Sequence, residues 1–294
     1  MSFSNKTKME IISNYTSKVA CSSIEVACIV KNFGILRCMY NTYVLYVFSE
    51  NEFIIKQLFK TLKNKFKINT EISVRVNKNF KKINYLLEIR QKSDIQYVLQ
   101  LLKNYDITNC YKNYFALNFI INGNITDPNK DYHLEFVFSD STNANDFMLN
   151  LKKANFNAKS TIRKKNYIVY IKGSEYIGDF LTITSAHNAL MDFHNIRILK
   201  DISGNINRKV NLETANLNKT INAALQQEED IKYLLNSNQN ILTKELRNLA
   251  TMRLENMDAT LKELGEKFDP PLSKSCINHR LRKIRKIAKT LKDT

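Results

Sequence analysis

A chain of 294 residues can bury two modest cores, so neither a metal nor a disulfide is required to hold it together. Its 45 Lys plus Arg exceed its 28 Asp plus Glu by a net +17, a balance that suits a polyanionic partner, nucleic acid first. No apolar run approaches the ~20 residues of a membrane span and the polar stretch Met1 to Glu10 lacks the apolar core of a signal peptide, so a cytoplasmic protein with no membrane partner is expected.

In chain order, Ser22 to Asn32 reads as a short helix, apolar on most sides and therefore buried, ended by Gly34. Ile35 to Cys38 and Tyr43 to Phe48 read as strands around a turn at Tyr40-Asn41-Thr42, and Glu50 to Phe66 is apolar at helical spacing. Residues 68 to 76 and 83 to 90 form a second hairpin around the basic turn Asn77 to Lys82, followed by a helix from Ser93 to Lys103. The plan then repeats: helix Tyr111 to Asn122, Gly123, a strand at Tyr132 to Phe138, helix Thr142 to Lys153, strands at Asn157 to Arg163 and Tyr167 to Ile171, and a helix from Ser174. The period of roughly 90 residues predicts two fused pseudo-symmetric halves whose short buried helices pack together at the axis.

Strand signals vanish after Thr182. Two helices are expected at Ser185 to Ile202 and Asn207 to Asn236, broken by Ser203-Gly204-Asn205, with Asn236 to Asn240 as a polar linker. The five cysteines are odd in number and never form a C-x-x-C pair, which suits reduced core thiols, and the four histidines lie at no metal-ligand spacing. No cofactor or metal is expected.

Lysine and asparagine abundance is also what a biased genome yields, so the position of the charge must decide. Residues 242 to 294 read as three helices: one capped by Thr243 and running to about Asn256, a short one from Leu261 to Phe268 opened by a Thr260/Glu263 capping box and stopped at Asp269-Pro270-Pro271, and a third capped by Ser273. The third is apolar at Ile277, Leu281, Ile284, Ile287, Ala288 and Leu291, and basic elsewhere. A short helix, a turn and a longer basic helix is the spacing of a helix-turn-helix, whose second helix enters the major groove. Ser273, Lys274, Ser275, Asn278, His279 and Arg282 fall on early exposed positions where they can meet bases and phosphates; Arg280 belongs to the expected DNA-binding set with Lys283, Arg285 and Lys286, the later ones suiting phosphates. The alternatives are a merely solvated charged face or a helix lying on anionic lipid.

Taken together, Asn207 to Thr220, Thr260-Leu261-Lys262-Glu263-Leu264-Gly265, Ser273-Lys274-Ser275 and Asn278 to Ile284 closely resemble the WhiA family. Ser185 to Leu190 belongs to the match, which weakens near Gly34 and at Tyr132-His133-Leu134-Glu135. The resemblance implies an α+β fold: a pseudo-twofold domain like a LAGLIDADG homing endonuclease, then an all-α helix-turn-helix domain. The expected division is 1–184 (halves at about 1–105 and 106–184), a helical bridge and linker at 185–240, and DNA binding at 241–294. It also implies double-stranded DNA as partner, a role in cell division, chromosome segregation or transcription regulation, association with the nucleoid, and contact with other DNA-bound regulators or division and segregation proteins.

A LAGLIDADG nuclease holds its divalent cations on two acids, each just before the last glycine of an axis helix. Those positions here are Phe33 and Asn122, before Gly34 and Gly123. Neither is a carboxylate, so no enzyme is expected, although Asp127 and Asp131 nearby leave a metal-dependent endonuclease as the rival reading. An RNA-binding protein is the other rival; the chain lacks the RRM aromatic signature. Lys78, Lys81, Lys82, Arg163, Lys164 and Lys165 in the strand turns, with Arg208 and Lys209, are candidate accessory phosphate contacts, and plain solvation is the alternative for them.

Overall fold

A computed structural model describes residues 1–39, 42–77, 82–237 and 241–293. Tyr40-Asn41, the Lys78 to Lys81 part of the basic turn, and Asn238 to Asn240 of the polar linker lie outside the described residues. Two compact units divide the chain, Met1–Asp201 and Ile202–Thr294.

The first unit opens with helix α1 (Phe3–Ser13), capped by the Ser2 hydroxyl, in a stretch whose polarity gave no sequence signal of a helix. Then come α2 (Ser22–Phe33), β1 (Gly34–Met39), β2 (Thr42–Ser49), α3 (Glu52–Lys65), β3 (Glu71–Asn77), β4 (Lys82–Ile89) and α4 (Lys92–Lys103). The second half repeats them as α5 (Tyr111–Asn122), β5 (Gly123–Ile125), β6 (His133–Phe138), α6 (Ser141–Lys153), β7 (Ala158–Arg163), β8 (Asn166–Lys172) and α7 (Ser174–Ile183). The strand β5 was not expected; at three residues it is too short to show alternation.

Each half forms one antiparallel sheet, ordered β1-β2-β4-β3 and β5-β6-β8-β7. The registers correspond: Gly34 pairs with Val47 where Gly123 pairs with Phe136, so each axis helix runs directly into an edge strand. The two axis helices α2 and α5 pack on each other, as the repeat predicts. Their alternating faces bury Ile24, Val26, Ile29, Phe115, Leu117 and Phe119 in one core with Val47, Leu87, Phe136, Phe147 and Phe180. Aromatic contacts tighten the second half, with the Phe136 and Phe147 centroids 4.5 Å apart.

One charge is buried in this core. The Glu25 carboxylate accepts from Tyr15 Oη and Ser17 Oγ at 3.0 Å, Gln57 Nε2 at 2.9 Å and Thr61 Oγ1 at 2.8 Å. With Asn113 Nδ2 at 3.5 Å, five neutral donors replace the water it lost, which is what a buried carboxylate without a cation requires. The phenol of Tyr15 is pushed well above its ordinary pKa by burial and by this neighbouring charge.

Two expectations fail here. Cys21 and Cys110 form a disulfide instead of lying as reduced thiols; Cys28, Cys38 and Cys276 are free. The two residues are 89 apart in sequence with Cα atoms 5.7 Å apart. They are the N-caps of α2 and α5, so the pseudo-symmetry that packs those helices brings their starting residues together. Burial pushes the remaining core thiol, Cys28, up to about 12.

The other failure is the break at Ser203-Gly204-Asn205: α8 runs unbroken over His187–Asn236. Glycine in a helix costs only about 1 kcal/mol relative to alanine, and only proline both removes a donor and clashes. The Asn205 side chain accepts from Arg208 at 2.7 Å instead of competing for the backbone. The helix start is held from α1, where the Glu10 carboxylate accepts from the amides of Asn188 at 2.6 Å and Ala189 at 3.0 Å, a carboxylate at a helix N-terminus.

Candidate nucleic-acid interface

The second unit contains the rest of α8 and three further helices, α9 (Lys244–Glu255), α10 (Leu261–Glu266) and α11 (Lys274–Lys292). Apolar residues at helical spacing close one core: Ile231 and Leu234, Leu246, Leu249 and Ala250, Leu264, then Ile277, Leu281, Ile284 and Ala288. Thr243 occupies the N-cap of α9 but its side chain makes no cap bond, contrary to expectation. The capping box is present: Thr260 Oγ1 accepts from the Glu263 amide while the Glu263 carboxylate accepts from the Thr260 amide at 2.8 Å. Those hydrogen bonds, from the Thr260 amide first, hold the Glu263 carboxyl below its ordinary pKa.

A close backbone approach sets the turn between α10 and α11. Leu272 N donates to Gly265 O at 2.9 Å, and a Cβ on Gly265 would lie 2.1 Å from the Leu272 carbonyl oxygen, so only glycine fits. The turn before it is closed by Arg253, which is 4% exposed. Its guanidinium donates to the carbonyls of Ala259 at 2.7 Å and Asn256 at 3.3 Å and to Gln227 at 3.1 Å. Burial lowers its pKa. The one sign of Arg253 in the sequence is its position, four residues beyond Leu249 on the inward face of α9.

Helix α11 presents its opposite face to solvent. Ser273 caps it, accepting from Cys276 N at 3.2 Å. Ser275, His279, Arg282, Lys286 and Lys289 are exposed at three- and four-residue spacings, so they share one face away from the core, with Asn278 half-buried at its edge. Lys274, Lys283 and Arg285 are also exposed. Eight of the helix residues are basic and none is acidic. Two are engaged: Arg280 Nη2 lies 3.4 Å from Glu245 of α9, and Lys292 Nζ is 2.9 Å from the buried Asp230, which raises its pKa. Among the described residues no carboxylate pairs with Lys274, Arg282, Lys283, Arg285, Lys286 or Lys289. The sequence singled out Arg280 alongside Arg282; the structure separates them.

The other candidates are dispersed. Phe33 and Asn122 end α2 and α5, and Asn122 Nδ2 donates to Asn32 Oδ1 at 2.8 Å, so the junction of the axis helices carries an amide pair. Asp127 accepts from the amide of Asn129 at 2.9 Å, which lowers its pKa, and Asp131 accepts from Tyr132 N at 2.8 Å. Among the described residues no group of three His, Cys, Asp or Glu is placed to hold a metal ion. Arg163 ends β7 within 3.4 Å of Glu135, while Lys164 and Lys165 are exposed in the next turn. Lys82 opens β4; Lys78 and Lys81 are outside the described residues. Arg208 and Lys209 are exposed on α8. No helix of the described residues is long and apolar enough to cross a membrane.

Comparison with known families covers the same segments. The model of the WhiA N-terminal LAGLIDADG-like domain matches residues 19–108, that of the WhiA LAGLIDADG-like domain 111–203, and that of the WhiA C-terminal HTH domain 206–288. The "Probable cell division protein WhiA" of Alkaliphilus metalliredigens is 37% identical over 309 residues, covering 98% of each chain. That of Clostridium tetani is 38% identical over 313 residues, covering 99% of this chain and 98% of its own. The crystal structure of full-length DUF199/WhiA from Thermatoga maritima aligns over 99% of both chains with a TM-score of 0.58 at 24% identity, a likeness of fold.

Proposed function

Because the chain belongs to the WhiA family, we propose that it is a non-catalytic protein that binds double-stranded DNA through α11 and acts in cell division, chromosome segregation or transcription regulation. The observation that carries this reading is the free basic face of α11. Arg282 and Lys286, with Ser275, Asn278 and His279 near the start of the helix, have no competing carboxylate and point away from the core. Guanidinium, amide and hydroxyl groups on an early helical face read base edges in a major groove, and the later lysines neutralise phosphate. Arg208, Lys209, Lys164 and Lys165 would add phosphate contacts, and Arg280, paired with Glu245, a weaker one.

Support for a non-catalytic role is chemical. Phe33 cannot ligate a hard cation, and Asn122 lacks the charge that two-metal phosphodiester chemistry requires. Asp127 and Asp131 are engaged in their own turn. The relatives' name points to division as the process; action at the nucleoid, with division or segregation proteins as further partners, follows in this reading from DNA being the ligand.

A salt-titrated shift assay on duplex DNA tests this. Lys274→Ala with Arg282→Ala should weaken binding strongly and flatten the salt dependence; a double variant that binds as before removes α11 from the interface. Preference for structured RNA in competition would favour the RNA-binding reading, and magnesium-dependent scission lost on Asp127→Ala would favour the nuclease.

A further inference from the structure

The middle of α8 buries no face. From Ile202 to Ala223 every residue except Gly204 is exposed. Most helical stability in proteins comes from packing of one face, and this stretch is rich in poor formers: Asn205, Asn207, Asn211, Asn216, Asn218 and Asn222, with β-branched Ile202, Ile206, Val210 and Ile221. Its stability calls for tertiary cover that the second unit does not supply.

The pattern on the helix says what would cover it. Ile202, Ile206, Val210, Leu217 and Ile221 are 46% to 60% exposed, and Glu213 fills the gap in their series. Ile202 and Glu213, Ile206 and Leu217, and Val210 and Ile221 recur at an interval of roughly 11 residues, three turns of helix, so the stripe follows the helix axis with little drift over about 30 Å. The spacings along it read the same in both directions. A twofold axis between Asn211 and Leu212 therefore carries the stripe onto itself, as an isologous contact demands. Two antiparallel copies set Ile202 against Ile221, Ile206 against Leu217, and Val210 against Glu213.

Charge selects the direction. Lys209 is next to Val210, so in the antiparallel pair it lies beside Glu213 of the second copy, and the twofold repeats the pair. In a parallel pair, Glu213 would face Glu213. A single polar residue in an apolar seam commonly fixes register in this way.

We infer that the exposed stripe of α8 is a self-association surface on which a second copy of this chain packs antiparallel, Ile206 against Leu217. The inference does not depend on DNA being the ligand.

The test uses the full chain with Cys38→Ser and Cys276→Ser, which removes the accessible free thiols. Light scattering should show a concentration-dependent dimer, abolished by Ile206→Glu with Leu217→Glu. Chains carrying Ile206→Cys and chains carrying Leu217→Cys, mixed and treated with a copper(II) oxidant that accepts the two electrons of each disulfide formed while the two thiol protons pass to the buffer, should cross-link with each other, while either alone should not. A wild-type chain that stays monomeric at all concentrations, a dimer insensitive to the two glutamates, or cross-linking of Ile206→Cys alone would each overturn the proposal. If the double-glutamate variant unfolds, the cysteine pairs still decide.

Discussion

Arg280 turns its guanidinium to within 3.4 Å of the Glu245 carboxylate on α9, whereas Arg282, two residues on, stands exposed on the opposite side of the helix core. An ion pair with one partner largely in solvent contributes about 0–1 kcal/mol, so Arg280→Ala should cost the second unit little stability. Under the proposed function, Arg282→Ala should lower duplex affinity by about 1–3 kcal/mol, the scale of one good base contact. Arg280→Ala should lower it by clearly less. Titrations of the two variants at one fixed salt concentration check this; equal losses would place Arg280 at the DNA.

Two glycines should respond oppositely to alanine. At Gly265 a methyl would sit 2.1 Å from the Leu272 carbonyl, forcing α10 and the turn apart, so Gly265→Ala should destabilise the second unit by about 1–3 kcal/mol. At Gly204 the nearest atom is the Arg208 guanidinium at 3.7 Å, and the residue is helical, so Gly204→Ala should stabilise α8 by about 1 kcal/mol. Helical circular dichroism during thermal unfolding reads both, and destabilisation by Gly204→Ala would mean that α8 needs flexibility there.

What was legible in the sequence was local. The α11 wheel, the Thr260/Glu263 box and the paired strand–helix plan each rest on contacts within a few residues, and each appears in the structure. What was not legible depends on residues distant in sequence. Arg253 looks like an ordinary surface charge until the Asn256 and Ala259 carbonyls fold over it. Arg280 looks equivalent to Arg282 until α9 brings Glu245 across. The Cys21–Cys110 bond joins residues 89 apart in sequence, and α1 is held by distant partners: Ile11 enters the core, Ser4 Oγ accepts from Ile125 N, and Glu10 meets the start of α8.

That disulfide has a direct chemical signature. Denatured protein prepared without reductant should take up alkylating agent at three cysteines, Cys28, Cys38 and Cys276, and at all five after reduction. Closing a loop of 89 residues restricts the unfolded chain by roughly 4–5 kcal/mol in the loop-entropy picture, so reductant should lower the unfolding temperature of the first unit. Mass spectrometry showing five alkylated cysteines without reduction would remove the bond.

The capping box on α10 supplies a pH dependence. The Glu263 carboxyl has a lowered pKa in the folded chain, chiefly from the Thr260 amide, so its contribution is present at neutral pH and is lost as pH falls through that lowered range. Wild type should therefore exceed Glu263→Gln in stability near neutrality, and the gap should close on acidification. Paired thermal melts across the acid range measure it; a gap that stays constant to low pH would mean that the carboxylate charge does no capping.

Glu25 gives the sharpest test of the first unit. Removing its carboxylate leaves Tyr15, Gln57 and Thr61 facing an empty pocket in the core, and a buried donor left without its acceptor costs about 1–3 kcal/mol. Glu25→Ala should lose that much. Glu25→Gln should lose less, because the amide keeps one acceptor and the Tyr15 and Thr61 hydroxyls can rotate to accept from its NH2 group. The chain has no tryptophan, so the tyrosine near-ultraviolet dichroism of the folded core is the natural probe. Equal stability of the two variants would show that an acceptor kept at this position contributes nothing to holding α2 against α3.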